Sequence, residues 1–112
     1  MKEITWNDFE IIELRSWTII EVDDFPEARK PAYKITVDFW SQIWIKKTSA
    51  QITDLYSKED LIWKQITWVV NFPNKQIGKF MSEFLLTGFV QKDNSVVLAI
   101  PERKINNWLK LG

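Results

Sequence analysis

Residues 33–47, YKITVDFWSQIWIKK, decide the fold class. Tyr33, Ile35, Val37 and Phe39 alternate with Lys34, Thr36 and Asp38, the period of two that marks a strand with one buried face. Beyond Trp40-Ser41 the pattern resumes, with Ile43 and Ile45 expected to continue the inward face and Gln42, Trp44 and Lys46 to point outward. The stretch therefore reads as a hairpin closed by a two-residue loop. A type II′ loop needs positive φ at its first position, where glycine is preferred. Trp40 stands there instead, and a left-handed backbone costs a bulky residue on the order of 1 to 2 kcal/mol.

Working outward, residues 18–22, 65–72, 84–90 and 96–100 are further strand candidates, the last two joined by the polar turn QKDNS. Thr5 or Asn7 can cap a helical turn through Phe9, Ser49 in TSAQITDLY is a second candidate N-cap, and SKEDLIW reads as another turn of helix. The stretches DDFPEARKP and NFPNKQIGKF are polar and proline-bearing, so both read as surface loops, where binding residues concentrate. Strands, a mid-chain helix and more strands in 112 residues predict one domain, 1–112, an all-β five-stranded Greek-key barrel of the OB type. Small barrels of other topology compete with it.

Composition narrows the function. The chain has no cysteine and no histidine, which removes disulfides, thiolate nucleophiles, most zinc sites and the commonest general base. No phosphate-cradling or nucleophile-elbow signature appears, so a binding protein without a cofactor is expected rather than an enzyme. No apolar run approaches the roughly 18 residues that span a bilayer. The acidic N-terminal stretch lacks a signal-peptide core, and the cytoplasm is the expected compartment. Net charge is zero, yet residues 1–28 carry two bases against eight acids, whereas 29–47 carry five bases against Asp38 alone. Whole-molecule attraction to nucleic acid is thereby excluded, and a local basic surface is not.

Three glycines and seven tryptophans are the oddest counts, since average usage predicts about eight glycines in this length. Position matters as much as number. In NNWLKLG, Trp108 follows Asn107 where glycine would complete a strong turn signal, and in EDLIWKQI Trp63 falls where glycine commonly ends a helix.

DFEIIELRSWTIIEVDDFPEARKPAYKITVDF, IKKTSAQITDLY and VVNFPNKQIGKFMSEFLLTGF together resemble the CsaA-type family of small tRNA-binding proteins over nearly the whole chain. Trp6 matches a position where that family has tryptophan. Trp17, Trp40, Trp44 and Trp108 stand where its pattern has glycine, and Trp63 and Trp68 where glycine is common. A gene in which UGA specifies glycine, with UGA read as tryptophan in the chain as written, explains both odd counts. Deliberate substitution and genuine divergence are the alternatives.

The resemblance implies an OB-fold barrel whose N- and C-terminal extensions form a homodimer, giving a continuous tRNA-binding surface. Carried residue by residue, Asn71, Lys75, Ser82 and Glu83 match the loop motif, Arg29 and Lys34 the EAR segment and its following strand, and Lys46 the lysine after Ile45. Arg29, Lys34, Lys46 and Lys75 are the expected phosphate contacts. Asn71 and Ser82 either orient the loop or donate to sugar and base groups. Glu83 is either part of the site or an anchor for Ser82 and nearby amides. Asn74 departs from the pattern, where a second proline is usual, and Lys79 adds charge. Proteins of this type are also described as export chaperones, so binding of precursor or unfolded polypeptides is the second expectation, with Phe25, Phe80 and Met81 as apolar contacts.

Overall fold

A computed structural model describes residues 1–38 and 45–112. The tip of the opening hairpin, with Trp40 and Trp44, lies outside the described residues. Helix α1 (Trp6–Ile11) precedes strands β1 (Leu14–Asp24), β2 (Tyr33–Asp38) and β3 (Ile45–Ala50). Helix α2 (Lys58–Leu61) leads into β4 (Gln65–Val69), and the strands β5 (Lys75–Ile77), β6 (Phe80–Ser82), β7 (Leu85–Leu86), β8 (Gly88–Val90) and β9 (Val96–Leu98) follow.

The main sheet is antiparallel in the order β3-β2-β1-β4-β7. A meander of three strands, a helix, and a fourth strand returning to the first is the OB arrangement. Strand β1 makes this possible by serving two partners. Leu14–Thr18 pair with β4, Ile19–Asp24 pair with β2, and the register shifts between Ile19 and Glu21. A bulge of that kind bends a strand, which turns a flat sheet toward closure. The Glu83 amide donates to the Lys47 carbonyl at 2.9 Å and the Thr48 hydroxyl to the Phe84 carbonyl at 2.6 Å, so the segment entering β7 nearly closes the barrel against β3.

Alternation sets the core. Trp17 and Ile19 of β1, Ile35 and Val37 of β2, Ile66 and Trp68 of β4, with Ile52, Leu61, Phe84 and Leu98, form one buried cluster. Trp68 donates its indole N–H to the Trp17 carbonyl at 3.2 Å and meets the Phe84 ring edge-on at 4.9 Å. In a buried indole whose one donor is hydrogen-bonded, that bond offsets the cost of taking the N–H out of water.

Several local expectations are corrected. Val37 lies opposite Lys46 and Ile35 opposite Thr48, so the inner positions of β3 are Lys46, Thr48 and Ala50, and Ile45 is exposed. Residues directly opposite share a face, and the hydroxyl of Thr48 is needed inside to close the barrel. Thr36, expected outward, is buried. Ser49 is a strand residue opposite Lys34 and caps no helix. The mid-chain helix starts instead at Ser57, whose hydroxyl accepts from the Asp60 amide while the Asp60 carboxylate accepts from the Ser57 amide. The same reciprocal box, Thr5 with Asp8, starts α1.

The stretch NFPNKQIGKF is not a plain loop. Within it β5 pairs with β6 across Gly78-Lys79, with Gly78 at φ 61° and Lys79 not left-handed, as a type II′ turn requires. The C-terminal segment is also ordered along β1. Trp108 donates to the Ser16 carbonyl, Ser16 to the Leu109 carbonyl, and Leu111 to the Leu14 carbonyl. Among the described residues no helix is long and apolar enough to cross a membrane, and no His/Cys/Asp/Glu group is arranged to hold a metal ion.

Candidate functional site

The segment between β1 and β2 and the β5–β6 hairpin meet over one lysine. Phe25 and Phe80 approach to 5.2 Å between ring centroids, and the Lys34 ammonium lies 4.9 Å from the first ring and 5.5 Å from the second. Ring faces carry negative charge density, so the pair holds the ammonium without neutralising it. Glu27, at 3.6 Å, is its one ion-pair partner among the described residues. Around this centre Arg29, Lys34 and Lys79, with Phe25, Ile77 and Phe80, line a concavity of about 820 Å³. Arg29 and Lys79 are exposed and make no ion pair among the described residues.

The hairpin carries the site onward. Its alternation places Lys75, Ile77, Phe80 and Ser82 on one face and Gln76 and Met81 on the other. Lys75 stands opposite Ser82, and both line a second concavity of about 390 Å³ with Phe72, Asn74 and Phe84. A third, of about 220 Å³, shares Phe72, Asn74 and Phe84 and adds Lys46 and Glu83. Six of the seven expected residues therefore fall along one tract, with Arg29 and Lys34 at the hairpin tip and Lys75, Ser82, Lys46 and Glu83 at its base.

Hydrogen bonds separate their duties. One Glu83 oxygen accepts from the Lys47 amide at 3.1 Å and the other lies 3.3 Å from the Lys46 ammonium. Glu83 thus anchors Lys46 and the Lys47 amide of β3, whereas Ser82, which it was expected to anchor along with nearby amides, bonds Thr48 instead. Thr48 has a single hydroxyl proton, directed at the Phe84 carbonyl, so the 2.8 Å contact between Thr48 and Ser82 takes its proton from Ser82. Ser82 is left with an acceptor for a ligand and little to donate. Asn71 accepts from the Glu13 amide at 3.1 Å and donates to the Ile11 carbonyl at 2.8 Å. It fastens the end of α1 to the barrel, apart from the hairpin tract. Lys75 keeps an exposed ammonium with no ion pair among the described residues.

Sequence reading missed Phe72, the exposed aromatic shared by the two smaller concavities. The signal was present as an aromatic directly before a proline inside a polar loop, but only the tertiary fold brings Lys46 of β3 to the side away from Lys75.

No protein-family model matches the chain. Two solved structures are similar along their whole length: the chaperone CsaA of Bacillus anthracis, 40% identical over 99% of this chain and 100% of that one with a TM-score of 0.90, and CsaA of Picrophilus torridus, 46% identical over 96% and 100% with a TM-score of 0.84. A MetRS-related protein of Pyrococcus horikoshii shares the fold at 19% identity and a TM-score of 0.86. Among curated proteins, the methionine–tRNA ligases of Thermococcus onnurineus and Pyrococcus horikoshii are 28% and 30% identical over 97% and 100% of the chain. The chain spans 14% of the length of each of these ligases. With identities of 40% and 46% across the full length of two solved members, the chain belongs to the CsaA chaperone family.

Proposed function

We propose that this protein is a non-catalytic tRNA-binding protein that takes the phosphate backbone along the hairpin tract. The observation that carries the reading is the gathering of Arg29, Lys34, Lys79, Lys46 and Lys75 in three concavities along the β5–β6 hairpin of a chain whose net charge is zero. An OB barrel suits the task because cations and aromatics in one groove receive both phosphates and bases. Structured RNA is then recognised by shape and backbone, with weak sequence preference. Similarity to a segment of methionine–tRNA ligases supports the same ligand.

The reading includes a homodimer formed through the terminal extensions. Trp6 and Ile11 of α1, with Leu109 and Leu111, are exposed apolar residues on those extensions, and Leu111 shares a concavity with Phe89 and Ile100. Pairing such faces in two copies removes apolar surface from water and doubles the basic tract.

A filter-binding titration against total tRNA at 50 mM and 200 mM salt tests the RNA reading. Several phosphate contacts predict a loss of affinity of roughly ten-fold or more between the two conditions. Arg29→Ala with Lys75→Ala lowers affinity further and flattens the salt slope by about one per contact. Binding with no salt slope that survives the double variant overturns it.

The second reading, capture of precursor or unfolded polypeptides, is favoured by the apolar lining of the larger concavity, Phe25, Ile77 and Phe80, and by family membership. Apolar capture differs in its observables, with little salt dependence and a negative heat-capacity change.

A further inference from the structure

Phe72 is 53% exposed, with no ring contact among the described residues, at the ridge between the two smaller concavities. A lone exposed phenylalanine is ordinary. Its surroundings are not. On one side Lys75 presents an exposed ammonium. On the other Lys46 is held by Glu83, and Asn74, with an amide able to donate and accept, lines both concavities. Pro73 follows directly and confines Phe72 to extended backbone, so the ring is presented with little freedom to collapse.

We infer that Phe72 is a stacking platform for one unpaired nucleotide of a bound RNA. Its base lies on the ring, Asn74 meets an edge of the base, and an adjoining phosphate lies at Lys75. A base paired in a duplex is stacked on both faces and offers no face to a side chain. The inference rests on the RNA-binding reading and sharpens it. The protein takes a single-stranded nucleotide in addition to tracking backbone. An extended polypeptide is the competing occupant, and the flanking cations favour the polyanion.

The test compares a seven-nucleotide single-stranded RNA carrying 2-aminopurine with a blunt, fully paired RNA duplex. Wild type, Phe72→Tyr, Phe72→Leu and Phe72→Ala are each titrated at two salt concentrations. Base–aromatic stacking predicts that Phe72→Ala loses roughly 5- to 100-fold in affinity for the single strand, with 2-aminopurine quenching abolished. Phe72→Tyr keeps both, and Phe72→Leu falls with Phe72→Ala because it lacks a π face. Duplex affinity and the salt slope stay unchanged in all three. Unchanged single-strand affinity in Phe72→Ala overturns the inference, as does full rescue by Phe72→Leu or an equal loss on duplex. So does a loss confined to an apolar peptide probe. Wild type that binds neither RNA sinks the RNA reading itself, a distinguishable result.

Discussion

The barrel interior and the turns at its rim use the same residue in opposite ways. Inside, Trp17 and Trp68 lie in ordinary strands, buried, with the Trp68 indole hydrogen-bonded and stacked edge-on against Phe84. At the rim, Trp63 and Trp108 hold φ near +70°, the left-handed region that a bulky side chain disfavours. Trp63 directly follows the C-cap of α2, the position glycine commonly takes, and its side chain is 70% exposed. Trp108 sits in the turn that brings the C-terminal segment onto β1. Its ring is compensated by the Trp17 ring at 5.5 Å and the Arg15 guanidinium at 4.9 Å. The backbone thus asks for glycine at 63 and 108 and makes no such demand at 17 and 68, where the expectation of glycine rests on the family resemblance alone. UGA codons at 17, 40, 44 and 108 are the outcome expected of the recoding account, and UGG there overturns it.

The contrast is broken most severely from inside. Trp68→Ala is expected to cost about 3 to 5 kcal/mol, because it removes a fully buried indole and leaves a cavity beside Phe84. Urea unfolding measures it, and a loss below about 1 kcal/mol would mean the interior does not depend on this ring.

At the rim the sign reverses. Trp63→Gly should stabilise by about 1 kcal/mol through relief of the left-handed backbone, and Trp63→Ala should gain little because a Cβ remains. Equal gains for both, read by thermal unfolding, would assign the effect to lost apolar exposure instead. Trp108→Gly is expected to be close to neutral. Relief of the same backbone cost is offset by loss of an aromatic pair and a cation–π contact, each about 0.5 to 1 kcal/mol. A gain matching that of Trp63→Gly would show that the ring contacts contribute nothing.

The smallest effect concerns the clasp that holds the Trp108 turn in place. Glu13 takes the Lys110 ammonium on one oxygen and the Arg15 guanidinium on the other, both at 2.7 Å, and these partners hold its carboxyl below the ordinary value. A carboxylate with a lowered folded-state pKa stabilises the fold above its unfolded pKa, and the contribution is lost as pH falls through the folded value. Glu13→Gln should therefore lower stability modestly near pH 7, where the clasp is intact, and flatten the acid limb below about pH 4.5, so that the variant and wild-type curves converge in acid. An unchanged acid limb would show the clasp to be dispensable.

Much of this was legible in the residues. Alternation in 33–38 located β2, turn signals located the 91–95 reversal, and the pattern SKED located the second helix, since each depends on neighbours within a few positions. The β5–β6 hairpin was missed because the proline and asparagine before it read as loop, although Gly78-Lys79 between two alternating triplets is a II′ signal. Among site residues, the charges of Arg29, Lys34, Lys46 and Lys75 could be placed on a motif, but their partners could not. Asn71 bonds residues 58 and 60 positions away, and Glu83 bonds Lys46 across 37. Such pairings depend on barrel closure, which no local pattern encodes.

The sequence by itself determined the β class, the helical turns near Thr5 and at SKED, the polarised charge, and the two turns where tryptophan occupies a glycine backbone. Propensity, period and φ preference act within a few residues, so one strand of text suffices to read them. Tertiary structure alone decided that Lys34 lies between Phe25 and Phe80, that β3 turns Thr48 rather than Ile45 inward, and that Phe72 stands between Lys46 and Lys75. Those arrangements follow from inter-strand register and closure, which are set by the summed packing of distant segments.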